Sequence, residues 1–228
     1  SDAGHRVLVP LMQALHTELD MLVLSHRDMD HVGGAPAVLA MQPLATLLSS
    51  IEATNPLQSQ RSAQRCQAGQ RWVWDGVTFE VLHPLASDYD SPAKSNALSC
   101  VLRISNGNQS ALLAGDIEQP QETRLVANES AKLKAQVLLV PHHGSKTSSS
   151  AAFLDAVAPR VAIVQSGYRN RFGHPAPPVL ARLQERQIQV VNSPHCGAYT
   201  WQSWQSWQSH IGACERLRGL RYWHHRVP

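Results

Sequence analysis

Four side chains able to bind a cation stand within six residues, His26, Asp28, Asp30 and His31, in the stretch Ser25-His26-Arg27-Asp28-Met29-Asp30-His31-Val32-Gly33-Gly34. A bare loop could not hold two carboxylates and two imidazoles so close without partners. A divalent cation supplies the missing positive charge and takes up their lone pairs. Residues of the same types recur further along. Asp116 closes Leu112-Leu113-Ala114-Gly115-Asp116, and His142 and His143 follow the apolar run Val137-Leu138-Leu139-Val140-Pro141. A lone Gly-Asp is ordinarily a turn, and a lone His-His is ordinarily a solvated surface pair. Here each follows an apolar run, so three strand ends each finish in a metal-ligating side chain, the pattern that a metal site at a sheet edge requires. Two divalent ions sharing a carboxylate generate a hydroxide at neutral pH and brace the attacking and leaving oxygens of a phosphodiester.

The elements that must position these residues follow from the hydrophobic pattern. Residues 19–24 are apolar over a strand length, so the polar residues begin where that strand ends. Gly33-Gly34 reads as a pair that lets the chain turn tightly, and Ala35 to Met41 as a short helix leaving the site. Upstream, Val7, Leu8, Leu11 and Leu15 recur at helical spacing over residues 7–16, with Pro10 near the start, where it is tolerated. Residues 44–51 read as a strand, and the Gln-, Ser- and Asn-rich residues 52–68 as a surface loop. Residues 70–74 and 77–84 alternate around Asp75-Gly76, a tight hairpin, and residues 98–104 and 110–114 form a second hairpin around Asn106-Gly107. Then come a helix over 118–133, a buried strand over 135–140, a helix over 148–157, a strand over 160–165, a helix over 178–186 and a last strand over 189–192. Hairpins first and β–α–β alternation second fit two layers of sheet flanked by helices.

The 228 residues are enough for one sizeable core and a single domain. A hydrophobic content of 43% with 16% charged residues describes a globular chain rather than a disordered one. No apolar run approaches the roughly 18 residues that span a bilayer. No signal peptide is evident, and the chain opens on Ser rather than Met, so it is expected to be part of something longer. A net charge of +3 and a pI near 8.8 suit a polyanionic partner without demanding one. Cys66, Cys100, Cys196 and Cys214 show no C-x-x-C spacing, which argues against a zinc knuckle. They are either buried thiols or up to two disulfides of an oxidising compartment. The expected division is a domain over 1–200 and a tail over 201–228. In that tail Trp201 to Ser209 repeats Trp-Gln-Ser three times, either a base-stacking surface or a low-complexity expansion. The end rich in Arg216, Arg218, Arg221, Tyr222, Trp223, His224, His225 and Arg226 either touches nucleic acid or a membrane-proximal surface, or is a disordered terminus.

The stretch from His26 to His31 resembles the H-x-[HD]-x-D-H loop of the metallo-β-lactamase superfamily, in the variant where the second His is Asp28. Asn96-Ala97-Leu98-Ser99-Cys100-Val101-Leu102, Leu113-Ala114-Gly115-Asp116-Ile117-Glu118, Val140-Pro141-His142-His143-Gly144-Ser145-Lys146-Thr147-Ser148 and Asn170-Arg171-Phe172-Gly173-His174-Pro175 follow in that order. Together, from the first helix to about Gly197, they closely resemble the metallo-β-lactamase-like C-terminal domain of ComEC-type DNA-internalisation proteins. The resemblance implies an α/β fold, the αββα sandwich, with N-terminal strands of the family expected to be missing here. No His between His31 and Asp116 matches the superfamily's third motif, where only His83 and Asn96 offer themselves. The implied metal ligands are His26, Asp28, Asp30, His31, Asp116 and His142, with Asp116 bridging two divalent ions. Asp28 in place of an imidazole tilts the preference towards Mn²⁺, with Zn²⁺ or Mg²⁺ as alternatives. The expected catalytic residues are Asp30, His143 and His174, the two histidines completing the metal shell or protonating the leaving oxygen. Ser145, Lys146 and Thr147 either bind a phosphate oxygen or lead into the N-cap of the next helix. The implied function is a metal-dependent nuclease that degrades the non-transforming strand during natural transformation. The implied partners are single-stranded DNA, a membrane-embedded channel domain of the same polypeptide and other DNA-uptake proteins. The implied location is the outer face of an inner membrane. The alternatives are a non-catalytic DNA-guiding module and another hydrolase of the same fold; a β-lactam or thioester substrate would want a closed apolar pocket, whereas Lys146, Arg169 and Arg171 suit DNA.

Overall fold

The computed structural model describes residues 2–203 and 212–221. They form two compact units, one of residues up to 70 together with 81–101, the other of residues 71–80 together with 102 onward. Most of the Trp repeat and the end beyond Arg221 lie outside the described residues.

The first unit opens with a π-helical turn, Gly4–Leu8, that runs into α1 (Val9–Leu15). Pro10 sits at the start of α1, where the chain passes out of the π-helical turn. β1 (Met21–Leu24), α2 (Met29–Val32), α3 (Ala35–Met41), β2 (Thr46–Ser49), α4 (Leu57–Gln60) and β3 (Ala63–Arg65) follow. The three strands pair in parallel in the order β1-β2-β3. Leu24, Val32, Ala35, Leu39, Leu47, Ile51 and Leu57 form the core beneath them. Residues 52–68 are therefore not the surface loop their composition suggests. They carry α4, anchored by buried Leu57, and the edge strand β3. Gln64 and Arg65 are exposed there, which hides the two-residue period. The Gly33-Gly34 pair also works differently from the expectation. Both residues have ordinary helical dihedrals, φ −60° and −92°. Gly34 is required instead by close approach, since a Cβ there would lie 2.7 Å from the backbone nitrogen of Gly4.

A seven-stranded sheet makes up most of the second unit, with residues 81–83 and Val101 of its strands counted in the first. Its strands are β4 (Arg71–Trp74), β5 (Val77–His83), β6 (Val101–Ser105), β7 (Ser110–Leu113), β8 (Val137–Leu139), β9 (Val161–Val164) and β10 (Gln189–Asn192), in the order β10-β9-β8-β7-β6-β5-β4. Pairing is antiparallel within the two hairpins, β4/β5 and β6/β7, and parallel from β7 to β10. Asp75 and Gly76 both adopt positive φ, 48° and 78°, the turn whose twist suits a two-residue hairpin. The parallel strands are joined by α5 (Gln119–Leu133), α6 (Ala151–Val157) and α7 (Pro177–Glu185). Leu112, Leu138, Phe153, Leu154 and Leu183 are completely buried between sheet and helices. The last strand is not β10. After α8 (Ser193–Cys196), the short strands β11 (Tyr199–Thr200) and β12 (Ala213–Cys214) pair antiparallel and lead to α9 (Glu215–Arg218). Two-residue strands carry no periodicity that a sequence could show.

The four cysteines form two disulfides, Cys66–Cys100 and Cys196–Cys214, with Cα atoms 6.1 and 4.6 Å apart. The second joins β12, part of the segment read as a tail, to α8. No described helix is long and apolar enough to cross a membrane.

Candidate metal centre

β1 delivers its polar residues at its C-terminal end, and α2 begins at once with Asp28 as its N-cap. This places His26, Asp28, Asp30 and His31 around one short turn. His26 is 1% exposed and its ring lies 4.1 Å from that of His31. The Ser25 hydroxyl sits between them, 3.0 Å from His26 Nδ1 and 3.1 Å from His31 Nδ1, and the Ser99 hydroxyl is 3.3 Å from His26 Nδ1. A hydroxyl has one hydrogen to give, so at least one of the two rings donates its Nδ1–H to Ser25. The opposite nitrogens face carboxylates: His26 Nε2 is 3.5 Å from Asp28 Oδ2, and His31 Nε2 is 3.8 Å from Asp30 Oδ2. The segment is pinned from behind. Cys100 N–H and the Ser50 hydroxyl both donate to the Ser25 carbonyl, at 2.9 and 2.7 Å.

The second unit gathers Asp116, His142, His143 and His174. Asp116 follows β7 through Gly115 (φ 56°) and is 5% exposed. His142 N–H donates to the Gly115 carbonyl at 3.0 Å, which ties the end of β8 to the end of β7. His142, His143 and Gly144 then take three successive positive φ values, 49°, 54° and 80°. Non-glycine residues rarely adopt this region, and such strain gathers at functional sites. His143 Nδ1 donates to the Gln165 carbonyl at 2.7 Å, which leaves Nε2 3.5 Å from Asp116 Oδ2. His142 Nδ1 is 3.3 Å from Glu118 Oε1. His174 lies with its ring 6.0 Å from that of His142. Burial first, and then the positive potential of His142 and His143 against the opposing pull of Asp116, holds its pKa below the usual histidine range. The ring is therefore neutral at pH 7. Asn170 fixes its backbone, accepting from His174 N–H at 2.9 Å and donating to the His174 carbonyl at 2.7 Å.

Three imidazoles thus share one arrangement: Nδ1 engaged by a protein oxygen, Nε2 directed at a carboxylate. This is how metal-binding histidines are oriented. The Nε2-to-oxygen separations of 3.5–3.8 Å exceed a good hydrogen bond. They approach the roughly 3–3.5 Å between neighbouring ligand atoms each about 2.1 Å from one ion. The donor set, imidazole nitrogen and carboxylate oxygen, suits a divalent cation.

The residues read as phosphate ligands are placed less openly. Ser145 is buried with its hydroxyl 3.1 Å from that of Thr147, which donates to Glu118 at 2.8 Å. Those two hydroxyls support the His142–Glu118 pair, and of the three residues Lys146 and Thr147 are exposed while Ser145 is buried. The N-cap of α6 is Ser150, whose hydroxyl accepts from Phe153 N–H. Sequence reasoning left Ser25, Ser99, Glu118, Gln165 and Asn170 without roles. Glu118, two residues beyond Asp116, and Asn170, four before His174, were within reach of a reading of spacing; the carbonyl of Gln165 was not, because a backbone oxygen leaves no trace in residue type.

The chain is similar to known proteins in sequence and in fold. Residues 17–168 match the model of the Metallo-beta-lactamase superfamily. The chain is 40% identical over 227 residues to Competence protein ComA of Neisseria gonorrhoeae, covering 99% of this chain and 31% of that protein. It is 33% identical over 210 residues to ComE operon protein 3 of Bacillus subtilis, covering 87% of this chain and 26% of that one. The chain spans between a quarter and a third of the length of these two relatives. Among solved structures, CmlA, a diiron beta-hydroxylase from Streptomyces venezuelae, superposes with a TM-score of 0.50 at 13% identity, over 76% of this chain and 43% of that one, a likeness of fold alone. The chain belongs to the metallo-beta-lactamase superfamily.

Proposed function

We propose that this chain is a metal-dependent phosphodiesterase domain, a nuclease of a DNA-uptake protein that degrades the strand not taken up in natural transformation. The observation that carries the reading is the shared arrangement of His26, His31 and His143, each with Nδ1 held from behind and Nε2 aimed at a carboxylate. The proposed ligands of two divalent ions, Mn²⁺ favoured, are His26, Asp28, Asp30, His31, Asp116 and His142. When bound, such ions supply a hydroxide at neutral pH and charge compensation for the phosphodiester. Ser25 and Ser99 orient the first histidine pair, and the Gln165 carbonyl orients His143. Neutral His174 suits a proton acceptor or a ligand better than a proton donor, which leaves His143 as the proposed donor to the leaving oxygen. The relatives named as competence proteins support the DNA-uptake role, and the two disulfides support an oxidising compartment, hence the outer face of the membrane that the channel domain of the same polypeptide would span.

The test is incubation of the full chain with single-stranded DNA and Mn²⁺, beside an Asp30→Ala control. Mn²⁺-dependent cleavage, abolished by chelator and lowered at least about 100-fold in the variant, is expected. Intact DNA that both proteins still bind would instead identify a non-catalytic DNA-guiding module.

A further inference from the structure

Between β9 and α7 the chain runs Tyr168-Arg169-Asn170-Arg171-Phe172. The whole chain has three Phe and four Tyr, yet this loop turns two of those seven rings to solvent, Tyr168 at 41% and Phe172 at 66% exposure. Burying a large apolar side chain contributes roughly 1.5–3 kcal/mol, so folding alone gives no reason to leave them out. Each ring is flanked by a guanidinium: Arg169 Cζ lies 5.2 Å from the Tyr168 centroid, and Arg171 Cζ lies 4.8 Å from the Phe172 centroid. Among the described residues neither guanidinium has a carboxylate within salt-bridge distance.

The loop is preformed. Asn170 donates to the carbonyls of Gly167 and His174 at 3.2 and 2.7 Å, and Gly173 N–H donates to the Asn170 carbonyl at 3.2 Å. Phe172 also lies nearly parallel to His174, with centroids 5.7 Å apart and planes 18° apart. The Phe172 ring is therefore joined to the histidine cluster by stacking. Flat π faces alternating with uncompensated guanidiniums match the two parts of an unpaired nucleotide: a base offers its face for stacking, and a phosphate pairs with Arg. In a duplex the base faces are hidden, so the rings would have nothing to stack on.

We propose that the Tyr168–Phe172 loop is a binding site for unpaired nucleotides, with Tyr168 and Phe172 stacking on bases and Arg169 and Arg171 pairing with phosphates. It deepens the proposed function, resting on it only for what becomes of the bound strand, since binding needs no metal. The test is fluorescence anisotropy of the full chain with a labelled oligothymidine and with a duplex of equal length, in chelator so that nothing is cut. Phe172→Ala and Tyr168→Ala should each weaken single-strand binding about ten-fold and leave duplex binding unchanged, while Phe172→Trp should retain it. Arg169→Gln with Arg171→Gln should reduce the slope of log affinity against log salt by about 1.4. The proposal is overturned if the wild type does not bind the oligonucleotide, if the ring variants bind it as tightly as wild type, or if duplex binding falls in step. Capture by phosphatidylglycerol vesicles without any response to oligonucleotide would likewise overturn it in favour of a membrane contact. Sensitive binding without Mn²⁺-dependent cleavage would uphold the loop and refute the nuclease; cleavage with insensitive binding would do the reverse.

Discussion

Ser25 is the residue on which the first histidine pair turns, because one hydroxyl lies within hydrogen-bonding distance of both Nδ1 atoms. Ser25→Ala leaves every proposed ligand in place and removes only their shared orientation. Such supporting contacts ordinarily change metal affinity by about 10- to 100-fold. A loss of that size is expected in competition titrations against a chromophoric chelator, and unchanged affinity would show that the rings need no such support. Glu122 is the second residue of note. It is fully buried in α5 and accepts from the backbone N–H groups of Ser149 and Ser150, which lead into α6. Burial raises its pKa above the usual 4.5, against the lowering effect of those hydrogen bonds and of Arg182. The folded state therefore holds this proton more tightly than the unfolded chain does. The resulting stability is complete below pH 4.5 and is lost as pH rises through the folded value. Urea melts across that window should show a negative slope of stability against pH that is smaller in Glu122→Gln; equal slopes would exclude Glu122 as the source.

At the scale of elements, the His142–Gly144 turn is a tightly constrained connection in the second unit. A Cβ on Gly144 would lie 2.8 Å from Cβ of Pro175 and 3.1 Å from its Cα, and the φ of 80° disfavours any side chain. Gly144 also accepts from Ala176 N–H at 2.8 Å, so this turn and the segment bearing His174 are held against each other. Gly144→Ala combines the left-handed strain with overlap and should cost about 2–4 kcal/mol of unfolding free energy. A urea midpoint within error of wild type would mean that the two loops separate freely. The short helix over 35–41, both hairpins and the strands before each cluster of ligands were legible because their patterns are local: alternation around Asp75-Gly76, or an apolar run ending in His. β3, β11 and β12 were not legible. Each is only two or three residues long, and each exists because a neighbouring strand or a disulfide holds it extended.

At the scale of the molecule, the Cys66–Cys100 disulfide links two residues of the first unit that stand 34 apart in sequence, next to the backbone that supports Ser25. Reduction should lower stability by about 2–4 kcal/mol. Melts with and without reductant measure it, and identical curves would assign the disulfide no structural role. The site candidates were legible in the sequence as residue types at strand ends, while the groups that orient them were not, because a serine or a backbone carbonyl acquires its role only from the fold. The proposed nuclease requires that the histidine and carboxylate groups hold divalent cations. Equilibrium dialysis against Mn²⁺ measures it most directly. Two equivalents are expected for the wild type and at most one for Asp116→Ala, whereas a wild type that retains no metal would contradict the account.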